Sequence, residues 1–336
     1  MTLPRTIPVG LIGAGRIGTS HAEIIAHRVP GASLVAVADP RPGVADALGS
    51  SLGARGVLAP GDIFEADDVE AVVIAASSDA HTELVIAAAQ AGKAVFCEKP
   101  MALTLSDADR AIAAARDADV ALQVGFNRRF APGFEAAHAA IVAGSVGTPH
   151  LMRSVTRDPG LANPGGVPPW TVFTQTLIHD FDALLWLNPG AQPVEVYATA
   201  DALVAPEFKQ AGLLDTAVVV VTFDNGARGV AEASFSATYG YDVRAEVFGS
   251  GGMVTAGTTA RTSMTLHDGS GRHVETARQD VDLFRDAYTG EFVEFTDAVR
   301  EGRAPSVTGV DARRALSIAL ACIESVRANA PVKVTP

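Results

Sequence analysis

The sequence predicts an α/β chain in two parts: a parallel sheet interleaved with helices, then an α+β region built on a large, mostly antiparallel, open-faced sheet. Three observations predict it. Short β-branched apolar runs alternate with longer helical stretches from Ile7 to about Val124, a glycine-rich turn follows the first run, and strand-like segments bounded by turn residues dominate after about Val194.

In the first part the candidate strands are Pro8–Ile12, Leu34–Ala38, Ala71–Ala75, Ala94–Cys97 and Val120–Val124. Helical stretches lie between them, such as Ser106–Arg116, where Ser106 suits the N-cap and Asp107 and Asp109 suit the positive helix end. After Gly125 come a helix around Phe134–Ala143, a Gly/Pro-rich loop from Asp158 to Trp170 and a second helix to Asn188. The later strands are Val194–Ala200, Ala217–Phe223, Gly229–Ser236 and Arg244–Phe248, and Asp224-Asn225-Gly226 is a hairpin turn. Two helices, near Glu291–Glu301 and Asp311–Ala328, close the chain. The expected division is 1–124 and 125–336, the second sheet packing helices on one face and offering the other to a second subunit.

The bulk properties bound the partners. At 336 residues, 48% hydrophobic and 19% charged, the chain has material for two globular cores. A net charge of −12 without a basic run argues against nucleic acid or an anionic membrane. Cys97 and Cys322 show no metal spacing and suit a reducing compartment, and the N-terminus lacks a signal-peptide pattern, so a cytoplasmic location is expected.

Gly13-Ala14-Gly15-Arg16-Ile17-Gly18 is G-x-G-x-x-G placed between a strand and a helix. Gly13 permits the tight turn, Gly15 lets the backbone approach a pyrophosphate, and Gly18 allows close helix–strand packing. Asp39 ends the second strand, 21 residues beyond Gly18, where a carboxylate accepts from adenosine ribose hydroxyls and repels a 2′-phosphate. The first part therefore reads as a Rossmann domain for NAD. Arg41 keeps NADP open as the less favoured cofactor, although a surface arginine explains it too. The plain alternative is a ligand-free glycine turn with a loop-capping aspartate.

Two segments then carry a resemblance, Cys97-Glu98-Lys99-Pro100 after a Rossmann strand and Ile178-His179-Asp180-Phe181-Asp182 on a helix of the second part. With the glycine motif, they resemble the Gfo/Idh/MocA oxidoreductase family. Val124-Gly125-Phe126-Asn127-Arg128-Arg129-Phe130 and Tyr239-Gly240-Tyr241-Asp242-Val243-Arg244 are most similar to its inositol dehydrogenases, and the likeness runs on through Pro305-Ser306-Val307-Thr308-Gly309-Val310-Asp311. The resemblance implies that Lys99 hydrogen-bonds the reacting hydroxyl of a small polyhydroxylated substrate while His179 takes its proton. It also implies a cis Lys99–Pro100 bond and a homotetramer. Arg16, Ile17, Ser77, His81, Glu98 and Lys99 then join the glycines, Asp39 and Arg41 as cofactor contacts. Asn127, Arg129, Trp170, Gln175, Tyr239 and Tyr241 join Lys99 and His179 around the substrate. Read alone, Lys99 is more often a surface lysine at a strand end and His179 more often a structural helix residue, and Trp170 is at least as readily a hydrophobic loop anchor. Asp180 and Asp182 beside His179 lack the further ligands of a metal site, so no metal is expected.

One position departs from the inositol dehydrogenase pattern. An aspartate normally stands four residues before the histidine, and here the residue is Gln175. Trp170-Thr171 also replaces the paired glycines that precede the helix. Glutamine orients an imidazole without stabilising its protonated form, so proton uptake becomes harder unless Asp182 compensates. The expectations are thus an inositol 2-dehydrogenase, another sugar, polyol or anhydrosugar dehydrogenase of the same family, or an NAD-binding sensor without catalysis.

Overall fold

The computed structural model describes residues 5–160 and 163–336; Leu161 and Ala162 of the expected loop lie outside the described residues. The chain forms two compact units. One ends at Asn127 and takes in Asp286–Leu316, and the other comprises Arg128–Arg285 and Ser317–Pro336. The return of residues 286–316 to the first unit is not legible in a division at residue 124.

The first unit is built on β1 (Ile7–Ile12), β2 (Ala32–Ala38), β3 (Arg55–Val57), β4 (Ala71–Ile74), β5 (Ala94–Cys97) and β6 (Leu122–Val124), with helices α1 (Arg16–Arg28), α2 (Val44–Leu52), α3 (Gly61–Phe64), α4 (His81–Gln90) and α5 (Leu105–Asp117) between them. The strands run in the order β3-β2-β1-β4-β5-β6, all parallel. β4 and β5 are buried throughout, as strands covered on both faces must be. The short β3 carries Arg55 and Gly56, which hid it from a reading based on apolar runs. The cap of α5 is Thr104, two residues before the expected Ser106. Its hydroxyl accepts from the Asp107 N–H at 3.1 Å and donates to the Asp107 carboxylate at 2.8 Å, so the local capping pair decides the helix start.

The second unit carries α6 (Pro132–Val142), β7 (Pro149–Arg157), α7 (Ile178–Trp186), β8 (Pro193–Asp201), β9 (Thr216–Phe223), β10 (Arg228–Ser234), β11 (Asp242–Gly249) and β12 (Met253–Thr258). A separate hairpin, β13 (Ala260–Asp268) with β14 (Gly271–Thr276), follows them. The short α8 (Asp280–Leu283) precedes α9 (Arg285–Glu301) and α10 (Gly309–Ala328), and β15 (Val332–Lys333) ends the chain. The seven-stranded sheet has the order β12-β11-β7-β10-β9-β8-β15; β7 and β10 are parallel and the other pairs antiparallel. The expected mostly antiparallel sheet is therefore present, and its interior strand β7 is the one the sequence hid. Its residues, PHLMRSVTR, offer no apolar run, because Ser154 and Thr156 face buried polar partners. One face of the sheet is buried, with Ala217, Val219, Val221 and Phe223 inward on β9. The other exposes Leu151, Tyr197, Val218, Val220 and Phe248.

Candidate active site

The loop after β1 is shaped by missing side chains. Gly13 holds φ +96°, and a Cβ there would lie 2.6 Å from the Ala75 carbonyl oxygen; a Cβ on Gly18 would lie 1.9 Å from the Gly13 oxygen. Gly15 differs: a Cβ there meets nothing within 4 Å, so the protein's own packing does not require glycine. That open approach is what a ligand pressed against the backbone needs. The first turn of α1 holds no acidic residue and no side-chain cap, which leaves its amide donors and positive dipole end to an incoming anion. The residues present thus fit a dinucleotide, with Arg16 exposed and Ile17 half-buried in the same turn.

Asp39, 4% exposed, is fixed beside this loop. Its carboxylate accepts from the Ala14 N–H at 2.9 Å and from the Arg41 N–H, Nε and Nη2 at 3.0, 2.8 and 2.9 Å. The Arg41 guanidinium holds its carboxyl well below the usual carboxylate range against the opposing effect of burial, with the Arg41 and Ala14 N–H groups adding to it. Four donors fill the four lone-pair positions of a carboxylate. A ribose diol can reach Asp39 only if the exposed Arg41 side chain swings away, which its 60% exposure allows.

Beyond β4, Ser77 is exposed and its hydroxyl bonds Asp79. His81, which opens α4, is buried between two backbone carbonyls, Pro100 O at 2.9 Å from Nδ1 and Ala76 O at 3.0 Å from Nε2. A neutral imidazole can donate to only one of them, and in either case His81 ties the loop after β4 to the segment after β5. There the Lys99–Pro100 bond is cis, as expected. Glu98 accepts the Lys99 N–H at 3.0 Å and faces His21 Nε2 at 2.7 Å. Lys99 is half-buried and Asn127 buried.

In the second unit, α7 presents His179 half-buried and is held by two buried ion pairs. Asp180, fully buried, accepts from Arg128 Nη1 at 2.7 Å, Ser154 Oγ at 2.6 Å and Thr156 Oγ1 at 2.6 Å. Asp182 accepts from Arg129 Nε and Nη2 at 2.9 and 2.5 Å. The Asp182 charge that sequence reasoning offered as compensation for Gln175 is thus already matched by Arg129, whose guanidinium also lies 5.8 Å from the Trp186 ring centroid. Gln175 sits inside a π-helical turn, Val172–Thr176, that runs into α7; such turns widen the spiral locally. Trp170 adopts φ +62° and lies under the Arg327 guanidinium at 4.9 Å, an anchoring contact for the loop. The Tyr239 hydroxyl donates to Asp242 at 2.7 Å, and Tyr241 is half-buried, its N–H donating to the Ala277 carbonyl at 2.8 Å. Burial works against ionised Asp242, but the Arg244 and Tyr239 hydrogen bonds outweigh it and hold its carboxyl low.

Sequence reasoning missed the positioning roles of Arg128, Asp180, Ser154 and Thr156, and the buried pair His21–Glu98. The available signal was charge in odd places: adjacent arginines next to a strand end and two aspartates on an apolar helix.

These features define an oxidoreductase with an NAD-binding Rossmann fold, and residues 7–126 match the family model of that description. Residues 134–255 match the model of the GFO/IDH/MocA C-terminal domain, and the chain belongs to the Gfo/Idh/MocA oxidoreductase family. It is 39% identical over 334 residues to myo-inositol 2-dehydrogenase of Thermotoga maritima, covering 97% of this chain and 98% of that one. It is 34% identical to the scyllo-inositol 2-dehydrogenase (NAD(+)) of Bacillus subtilis over 96% of this chain and 95% of that one. The crystal structure of myo-inositol dehydrogenase from Lactobacillus casei in complex with NAD(H) and myo-inositol is 26% identical, with a TM-score of 0.89 over 98% of this chain and 97% of that one.

Proposed function

We propose that this protein is an NAD-dependent dehydrogenase that oxidises a secondary ring hydroxyl of inositol to a ketone. The observation that carries this reading is full-length similarity to inositol dehydrogenases in a chain that retains the open Gly15 cradle, Lys99 and His179. Bound NAD supplies the hydride acceptor. Gly13, Gly15, Gly18, Asp39 and the α1 amides hold it, and Arg16, Ile17, Ser77, His81 and Glu98 complete that site. Lys99 donates to the reacting hydroxyl oxygen and stabilises the negative charge that develops there as the proton leaves, a charge that is consumed when the hydride departs and the carbonyl forms. A ring nitrogen of His179 takes the hydroxyl proton, a general-base contribution of about 10² to 10⁴ in rate. Gln175 orients that imidazole without adding charge. Asn127, Arg129, Trp170, Tyr239 and Tyr241 surround the remaining hydroxyls. In this scheme the first unit binds cofactor, and the second binds substrate and mediates assembly.

We further propose a cytoplasmic homotetramer built on the exposed sheet face of the second unit, where Leu151 and Phe248 are direct cross-strand neighbours, as are Tyr197 and Val220. Light scattering on the purified protein checks the subunit number.

A second reading, a sugar or anhydrosugar dehydrogenase, is favoured by Trp170 and Gln175, which alter the expected wall of the pocket. NADH formation with NAD and a panel of myo-, scyllo- and chiro-inositol, glucose, xylose and levoglucosan decides between them. Fastest turnover of an inositol supports the first reading; fastest turnover of a sugar or anhydrosugar overturns it in favour of the second.

A further inference from the structure

The first unit buries a cluster of ionisable side chains, two of which, His21 and Glu291, have no part in the scheme above. His21 comes from α1, Glu98 from the chain just beyond β5 and Glu291 from α9, and one ligand atom of each lies within 4.8 Å of the others. Exposure is 0%, 6% and 0% respectively, so water does not screen them. Aromatic rings set the imidazole: its centroid lies 4.9 Å from that of Phe292, 5.4 Å from that of Tyr288 and 6.1 Å from that of Phe96. His21 Nε2 then meets one oxygen of Glu98 at 2.7 Å, and the other oxygen accepts the Lys99 N–H at 3.0 Å. The Gln123 amide donates to the backbone carbonyl of Glu291 at 2.8 Å and fixes the turn that carries this acid. Among the described residues, neither carboxyl oxygen of Glu291 has a hydrogen-bond partner.

Two carboxyl groups so close and so dry do not both ionise. Glu98 has an imidazole and an amide to stabilise its charge; Glu291 has neither. Burial and the neighbouring Glu98 charge accordingly push the Glu291 carboxyl well above the usual range. Burial opposes ionisation of Glu98 too, but the His21 hydrogen bond and charge, with Lys99 and His81, hold it low.

We propose that His21 and Glu291 are positioning residues for the reaction: the His21 hydrogen bond fixes the Glu98 carboxylate, Glu291 packs beside both and keeps the imidazole turned toward Glu98, Glu98 fixes the Lys99 N–H, and the lysine side chain thereby leaves the backbone in one direction. This rests on the role given to Lys99 above. Glu291 closes the cluster as a neutral acid, because a second charge would pull His21 away from Glu98.

The test uses the full-length protein, NAD and whichever substrate in the panel above is turned over fastest. Glu291→Ala is expected to lower kcat by about 10- to 100-fold through misplacement of Lys99, with NAD affinity unchanged because Asp39 and the glycine loop are untouched. Glu291→Gln, neutral and of the same shape, keeps kcat close to the parent value. Infrared difference spectra at neutral pH show a protonated-carboxyl C=O band in the parent that is absent from Glu291→Gln. Should the alanine variant not fold, His21→Gln carries the kinetic arm with the same expected loss. The proposal is overturned by an alanine variant that melts earlier but keeps kcat, by a glutamine variant as slow as alanine, by absence of the band, or by a stoichiometric metal ion that Glu291→Gln releases. Lys99→Ala, measured alongside, separates the two layers. Retained turnover there removes the reading of Lys99 and this inference with it, whereas lost turnover with an unaffected Glu291→Ala removes this inference alone.

Discussion

The glycine loop of the first unit and helix α7 of the second are held by opposite means. The loop is defined by atoms that are missing: Gly13 and Gly18 have no room for a Cβ. Helix α7 is defined by atoms that must be present, since Asp180 and Asp182 are buried and each is matched by an arginine. Gly13 and Gly18 tolerate no additions, and the pairs of α7 tolerate no single deletion. Buried pairs of this kind contribute little net stability over an apolar replacement, but breaking one strands its partner.

The largest expected effect comes from breaking such a pair. Asp180→Ala leaves Arg128, Ser154 and Thr156 without their acceptor and is expected to cost about 3–5 kcal/mol in denaturant unfolding, a large share of a typical domain's stability. The double change Arg129→Met with Asp182→Leu, which removes both charges, is expected to cost much less than Arg129→Met alone; equal losses would show that the pair is not energetically coupled.

Next come the glycines, which separate packing from ligand binding. Gly18→Ala forces the loop open and is expected to cost about 1–3 kcal/mol as well as NAD affinity. Gly15→Ala has open space and φ −78°, so its melting temperature stays near the parent's while NAD binding, read by calorimetry, falls at least tenfold, about 1.4 kcal/mol. Unchanged NAD binding in Gly15→Ala would mean that the cofactor does not press against the backbone at this glycine.

This contrast also explains what could be read from the sequence. Gly13, Gly15, Gly18 and Asp39 were legible because their job depends on backbone shape at short, fixed spacing. The expected strands from Pro8 to Cys97 were legible because burial on both faces leaves continuous apolar runs. β7 was not, since Ser154 and Thr156 serve an aspartate that lies more than 20 residues along the chain. The cluster of His21, Glu98 and Glu291 joins residues from three elements and has no local signature at all. Helix α9 likewise packs Phe292 and Phe295 against Phe96 of β5, a tertiary fact that no residue period reveals.

Smaller effects concern protons. With Gln175 bringing no charge to the imidazole, oxidation is expected to accelerate as pH rises; a flat rate from about pH 6 to about pH 10 would contradict the role given to His179. Asp242 has a carboxyl held below its ordinary value, near 3.9 when unfolded. Its contribution to stability is therefore present above that value and is lost as pH falls through the lower folded one. Asp242→Asn should flatten the acid side of the stability profile slightly, and an unchanged slope would mean that the contacts with Arg244 and Tyr239 contribute nothing measurable.

The most direct test of the central claim is single-turnover NADH formation by the parent and by His179→Ala, at saturating NAD and myo-inositol. His179→Ala is expected to lose about 10²- to 10⁴-fold in rate with NAD affinity unchanged. A variant that forms NADH at the parent rate would contradict proton abstraction by His179 and, with it, the proposed chemistry of the second unit.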